Sequence, residues 1–304
     1  ASSLGRSFAA LITMFGLASS VLRSVPAAAA VAGVAAGAWA TACGSSVAHA
    51  DALDAKEWRK FRLTAKTQVS PDSAEYRFSF PKGHEFDRLG LEPASLLMAR
   101  AKVGDEEVSR PYTPISPENA IGYTTLLVKS YPTGKLSKAF GELKVGDSVE
   151  FKGPFKKFEY TANMKKYIGM VAGGSGITPM LQLIEKILSN PRDNTEVRLI
   201  FANRSPDDVL LKDRLDALAW KHSNFKVLYT VDKGNDDWDG QTGHVTDSMI
   251  RSVLPPPVED SLILVCGPPP MVKAIAGPKN KFEQGDLKGV LAHMGYTKSM
   301  VFKY

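Results

Sequence analysis

The stretch from Tyr167 to Leu188 constrains the fold more than any other part of the chain. An apolar run, Tyr167 to Ala172, enters Gly173-Gly174-Ser175-Gly176-Ile177-Thr178-Pro179 and leaves through the helix-like Pro179 to Leu188. A strand that turns through glycine into a helix is half of a crossover unit, and such units build parallel sheets wrapped by helices. The rhythm continues with a strand at Val197 to Ala202, a helix near Leu210 to His222, and strands at Phe225 to Val231 and Leu262 to Cys266. Upstream the pattern changes. From Phe61 to about Tyr160, short apolar runs are broken by Pro, Gly and Asp, as in Glu75 to Phe80, Thr124 to Tyr131 and Ser148 to Lys152. Alternation at even spacing predicts an antiparallel barrel. The expected plan is a β-barrel domain over residues 58–162 and an α/β domain over 167–304, preceded by a separate segment, 1–50.

That first segment is a different material. Val25 to Cys43 carries no charge and is mostly Ala, Val and Gly, a length that suits one membrane-spanning helix. Phe8 to Leu22 is a second apolar run, and Arg6 and Arg23 are the only charges before Asp51. A retained anchor, a cleaved targeting sequence, or both in succession fit this pattern. The acid-free, Ser/Ala-rich composition resembles an organelle transit peptide, and Ala48-His49-Ala50 has the small-x-small form of a cleavage site. A retained anchor in an organelle membrane, most simply the mitochondrion, is the expectation carried forward.

Among the 304 residues, 44% are apolar and 23% charged, a globular rather than disordered balance. The net charge of +6 includes Lys156-Lys157 and Lys165-Lys166. No basic array with interleaved aromatics suggests nucleic acid. A basic face could dock an acidic protein or an anionic membrane, and solvated surface is the plainer reading. Two cysteines, Cys43 and Cys266, make no disulfide framework and cannot hold a four-thiolate iron–sulfur cluster. The five histidines are scattered without zinc spacing, so no metal site is expected.

Several segments carry chemistry. The Gly173, Gly174, Ser175, Gly176 turn lets a ligand approach backbone N–H groups, and a helix start attracts phosphate; Thr178 lies at that start. A tight turn without ligand is the alternative. Cys266-Gly267-Pro268-Pro269-Pro270-Met271 ends another strand, and ligands of open parallel sheets bind beyond the strands' carboxyl ends, so both loops should edge one crevice. Asp232, after the strand Phe225 to Val231, could accept hydrogen bonds from a ribose diol and repel a 2′-phosphate, which favours NADH over NADPH; it could also simply form the turn before Gly234. In the first domain, Arg110 and Tyr112 of Arg110-Pro111-Tyr112-Thr113 share one face of an extended segment, offering a phosphate clamp and a stacking ring. Gly134-Lys135-Leu136-Ser137 precedes an amphipathic stretch, with Ser137 as the expected N-cap of a second phosphate-binding helix start.

Taken in order, these residues resemble the NADH–cytochrome b5 reductase family over roughly residues 60–304. The run Arg110 to Pro114, the Val128-Lys129-x-Tyr131 strand, Gly134 to Ser137, Gly173 to Pro179, Phe201-Ala202-Asn203, Cys266 to Met271, Gly295-Tyr296 and Val301-Phe302 carry the similarity. The resemblance implies a barrel holding FAD and a Rossmann-like domain holding NADH. Arg110 and Pro111 would lie at the FAD pyrophosphate, Tyr112 against the isoalloxazine, and Thr113 near its reactive nitrogen. Val128, Lys129 and Tyr131 would line the flavin, with Lys129 also assisting NADH. Gly134, Lys135, Leu136 and Ser137 would hold the pyrophosphate. Gly173, Gly174, Ser175, Gly176 and Thr178 would hold NADH, with Asp232, Gly267, Pro268, Pro269 and Met271 around it. Thr113, Lys129 and Cys266 would stand at the reacting atoms. Three positions depart from the family pattern: Ala94-Ser95-Leu96 replaces a Gly-Gln-His-like run, Lys156 replaces a glycine, and Tyr304 stands where the family tends to have Phe.

The expected function is a membrane-anchored reductase that takes hydride from NADH onto FAD and passes single electrons to a separate acceptor. The acceptor implied by the resemblance is a small acidic, cytochrome b5-like heme protein; a quinone or another membrane partner is an alternative. A structural subunit of a larger membrane complex and a ferredoxin–NADP reductase-like enzyme are the rival readings.

Overall fold

The computed structural model describes residues 51–280 and 283–304. The expected N-terminal membrane helix lies outside them. Among the described residues, no helix is long and apolar enough to cross a membrane.

The first half is a six-stranded antiparallel sheet in the order β4-β3-β6-β1-β2-β5. Its strands are β1 (Arg59–Ser70), β2 (Ser73–Ser79), β3 (Ser95–Val103), β4 (Glu106–Tyr112), β5 (Tyr123–Lys129) and β6 (Ser148–Lys156). Alternate residues Phe61 and Leu63 on β1, Tyr76 and Phe78 on β2, and Val149 and Phe151 on β6 turn inward and are buried. Phe61, Phe78 and Phe151 meet edge to face at centroid distances of 5.0 Å. In place of the expected closed barrel the half is an antiparallel sheet whose end strands, β4 and β5, do not pair with each other. Helix α1 (Lys135–Glu142) contacts β3, β4 and β5 and so bridges that seam. Its Phe140 meets the rings of Tyr76, Phe78 and Tyr112.

The second half is a parallel sheet in the order β10-β9-β8-β7-β11-β12. Its strands are β7 (Tyr167–Gly173), β8 (Glu196–Asn203), β9 (Phe225–Val231), β10 (Gln241–Thr242), β11 (Ser261–Cys266) and β12 (Val301–Lys303). Chain order runs outward from β7 in one direction and then returns to β11 on its other side, so the topological switch point lies between β7 and β11. Helices α2 (Ile177–Ser189) and α3 (Lys212–Lys221) share one apolar cluster with Met170, Ala172, Leu199 and Phe201. The opposite face, through Val171, Ile200, Ile263 and Val265, packs on α4 (Asp247–Val253), α5 (Pro269–Ala276) and α6 (Gly289–His293).

Both halves share that α2 cluster. Ile115 and Leu127, from the antiparallel half, are buried in it. Polar links add to it: Gln182 of α2 accepts from the Ser95 N–H at 3.3 Å, Lys186 pairs with Glu118 at 2.9 Å, and Arg214 of α3 donates to the Ile115 carbonyl at 2.9 Å.

Candidate functional site

The seam of the antiparallel sheet gathers three of the chemical segments read from the sequence. Arg110 and Tyr112 lie on β4, Val128 and Lys129 end β5, and Gly134 to Ser137 begin α1 between them. Arg110 is exposed and donates to the Ser109 carbonyl at 2.8 Å. The Tyr112 ring is half-buried, 5.2 Å from Phe140, and burial pushes its phenol above the ordinary range despite the nearby Arg110 charge. One correction concerns Ser137. The N-cap of α1 is Gly134, whose carbonyl accepts from the Lys138 N–H at 3.1 Å, so the helix begins three residues before the expected position. Ser137 sits inside the first turn and its Oγ accepts from the Tyr131 N–H at 3.3 Å. No side chain caps α1, its first turn has no acidic residue, and Lys135 occupies its first position. A cation at a helix N-terminus opposes the macrodipole, and an anion placed there satisfies both. Lys135 also pairs with Glu106 at 2.5 Å.

At the sheet's switch point the Gly173–Thr178 turn and the Cys266–Met271 turn interlock. A Cβ on Gly176 would strike the Cys266 carbonyl, and one on Gly267 would come within 3.0 Å of the Gly173 nitrogen. A Cβ on Gly173 would meet Met271 Sδ at 2.7 Å and Pro268 Cδ at 2.9 Å. Two of the glycines read as openings for a ligand, Gly173 and Gly176, are therefore required by loop packing. Gly174, with φ of +52°, is the position that needs the left-handed conformation. Helix α2 starts from Gly176 without a side-chain cap or first-turn acid, and the buried Thr178 hydroxyl donates to the Ser175 carbonyl at 3.2 Å. Its free N–H groups suit a phosphate. Helix α5 starts with Pro269 and Pro270 after Pro268, which lack N–H groups, so this second helix start offers far fewer donors. Burial pushes the Cys266 thiol up to about 12, with the Lys279 charge opposing, so it stands as a neutral group. Asp232 follows β9, is exposed, and lies 3.7 Å from His244 Nε2.

The seam and the switch point meet. The Lys129 stem passes Gly174, and the Tyr131 hydroxyl lies 3.3 Å from Ser175 Oγ. The Lys129 ammonium is 2.9 Å from Asp72 and 2.8 Å from Asp208, with its side chain only 8% exposed. Arg204 pairs with the same two carboxylates. Burial alone would raise both carboxyls, but hydrogen bonds and charge from Lys129 and Arg204, with Ser73 on Asp72 and Ser205 on Asp208, hold them below the usual range. Asp72, Arg204 and Asp208 escape a sequence reading. Their one signal is position: Asp72 follows Pro71 in the β1–β2 turn, and Ser205-Pro206-Asp207-Asp208 follows the carboxyl end of β8. Asn203, the last residue of β8, buries both carboxamide atoms without a hydrogen-bond partner.

The arrangement fits two extended anionic cofactors: one along the seam, with Arg110, the Tyr112 ring and the start of α1, and one at the switch point, with the start of α2. Among the described residues no group of acids, histidines and cysteines could hold a metal ion.

Comparison with known proteins agrees. A family model described as an oxidoreductase FAD-binding domain matches residues 60–160, and one described as an oxidoreductase NAD-binding domain matches residues 170–277. An NADH-cytochrome b5 reductase-like protein of Arabidopsis thaliana is 50% identical over 260 residues, covering 83% of this chain and 78% of the relative. NADH-cytochrome b5 reductase 1 of Mortierella alpina is 45% identical over 224 residues, 74% of each chain. Among solved structures, the cytochrome b5 reductase domain of Ulva prolifera nitrate reductase is 34% identical with a TM-score of 0.73, covering 84% of this chain and 100% of that domain.

Proposed function

From the premise that this chain belongs to the NADH–cytochrome b5 reductase family, an oxidoreductase family of FAD and NADH, we propose that it passes electrons singly from NADH to a cytochrome b5-like heme protein. The observation that carries the reading is the meeting of seam and switch point, where the Lys129 stem runs beside Gly174 and the Tyr131 hydroxyl meets Ser175 Oγ.

Bound FAD supplies the conversion of a two-electron hydride into single electrons. The residues supply positioning. Arg110 and the N–H groups at the start of α1 would clamp the flavin's pyrophosphate, and Tyr112 would offer its ring, with Thr113 next along the chain. Lys135 adds positive charge at that helix start. The start of α2 would take the dinucleotide's phosphates. Cys266, held protonated, would present a small uncharged wall beside the nicotinamide, against which a thiolate's charge would otherwise intrude. Lys129 would be fixed between two carboxylates and so present a stationary charge across the junction. Asp232 would accept from a ribose diol and repel a 2′-phosphate.

The apolar run Val25 to Cys43 supports an organelle-membrane anchor for this reductase, and sedimentation of the native protein with alkali-washed membranes tests it. The test of the activity uses the FAD-loaded full chain with NADH or NADPH, reducing ferricyanide and then a cytochrome b5. NADH should support both reductions, with kcat/KM for NADPH lower by at least about tenfold because of the Asp232 charge. Absence of ferricyanide reduction would refute the enzymatic reading in favour of a structural subunit, and equal use of NADPH would remove the role given to Asp232.

A further inference from the structure

We propose that Asn203 binds a ribose hydroxyl of the dinucleotide through its side-chain carboxamide. The proposal rests on the reading that the switch point takes a nicotinamide dinucleotide, and it adds a residue to which no binding role has been given.

Asn203 is 8% exposed, and neither Oδ1 nor Nδ2 has a hydrogen-bond partner. A buried carboxamide left this way opposes folding, since water lost from a donor and an acceptor is not replaced. A ligand that enters later and supplies both partners accounts for the residue.

Its place in the fold says which ligand. The β7–β8 register pairs Gly173 with Ala202, so Asn203 lies one step beyond, beside the turn that begins at Gly174. Asn203 has the strand parity of Leu199 and Phe201, whose side chains join the cluster that also holds Ile115 and Leu127 of the antiparallel half. Its side chain therefore leaves the sheet on the face where the two halves meet. Its carbonyl accepts from the Asp232 N–H at 3.0 Å, which ties it to the residue read as facing a ribose. The following residue, Arg204, is held by Asp72 and Asp208. Asn203 thus stands between the phosphate-binding turn and Asp232. A phosphate accepts hydrogen bonds but has none to give at neutral pH, so it would leave Oδ1 unpaired. A sugar hydroxyl donates to Oδ1 and, with its vicinal neighbour, accepts from Nδ2.

The test is calorimetric titration of the FAD-loaded full chain and of its Asn203→Leu and Asn203→Ala variants with ADP-ribose, which keeps both riboses and the pyrophosphate but lacks nicotinamide. Both variants should bind ADP-ribose about 5- to 100-fold more weakly, the loss expected of two hydrogen bonds. The ligand-free melting temperature of Asn203→Leu, which keeps the side-chain volume, should not fall. Titration with 5′-AMP separates the two sugars: a parallel loss places the contact at the adenosine ribose, and unchanged AMP affinity with weakened ADP-ribose binding places it at the other. Native-like ADP-ribose affinity in both variants would overturn the proposal, including the case in which the nicotinamide amide is the true partner. Failure of the native chain to bind ADP-ribose would instead overturn the dinucleotide reading on which it rests.

Discussion

At the scale of single residues, the site is built as much from suppressed chemistry as from reactive groups. Cys266 is the clearest case. A thiol becomes a nucleophile only as thiolate, and burial pushes this one up to about 12. At pH 8 its thiolate fraction should lie roughly three orders of magnitude below that of a free cysteine near pKa 8.5. Peptide mapping after iodoacetamide treatment of the native chain should therefore show Cys266 alkylated at least about 100-fold more slowly than a model thiol, and comparable rates would exclude a protonated wall. The mapping resolves Cys266 from Cys43, the chain's other cysteine. Tyr304 follows the same pattern. Its hydroxyl is buried without a partner, and burial pushes the phenol above its ordinary range. Residues such as Arg110, Tyr112 and Gly174 are legible in the sequence because their chemistry is local. Asn203 shows only as part of a resemblance, since an amide at a strand end has no local signature of being unpaired.

At the scale of elements, the ion-pair group of Asp72, Lys129, Arg204 and Asp208 joins the β1–β2 turn, the end of β5 and the turn after β8. Asp72 and Arg204 are 132 positions apart, and each flanks a proline-containing turn where solvated polar residues are ordinary, so the sequence hides their pairing. Lys303 hides an element in the same way. A Lys next to the last residue reads as surface, yet its Nζ donates to the carbonyls of Ala276, Pro278 and Asp286 at 3.0–3.3 Å, and β12 is paired to β11 with Val301 and Lys303 buried. Strands β2, β5, β7, β8, β9 and β11 and helix α2, by contrast, are legible to within a few residues because many apolar positions agree on one period, whereas the longest strand, β1, alternates too weakly to be given a range. Removing Lys129 leaves two partly buried carboxylates facing each other with Arg204 as their remaining cation. Lys129→Met should therefore destabilise the chain by about 1–3 kcal/mol at pH 7, less than for a fully stranded charge. The pH dependence has a definite sign. Both carboxyls are depressed in the folded state, so their contribution is complete above the unfolded value near 3.9 and is lost as pH falls through the folded values. Denaturant titrations should show the gap between Lys129→Met and the native chain narrowing below about pH 4; a gap constant from pH 7 to pH 3 would mean the loss is packing and not charge.

At the scale of the whole molecule, the question is whether seam and switch point belong to one cooperative body. An antiparallel half and a parallel half with independent cores would open separately, and the junction between Lys129, Tyr131 and the Gly174–Ser175 turn would then be a hinge. The packing argues otherwise. Ile115 and Leu127 are 4% and 3% exposed inside the cluster centred on α2, so separating the halves would expose the buried face of α2 as well as those two side chains. The same separation would break the buried pairing of Lys129 with Asp208 and the Arg214 and Gln182 hydrogen bonds across the boundary. Each of these losses falls on both halves at once, which is the condition for all-or-none unfolding. Differential scanning calorimetry of residues 51–304 with FAD should show one transition whose calorimetric and van't Hoff enthalpies agree. Saturating ADP-ribose, bound only by the folded parallel half, should then raise that single transition rather than split it, by the mass-action term of about 2.7 kcal/mol at a hundredfold excess over Kd. Two resolved transitions, with ADP-ribose moving only one of them, would show that the apolar boundary is too small to couple the halves and that the flavin and nicotinamide sites sit on separately folding units.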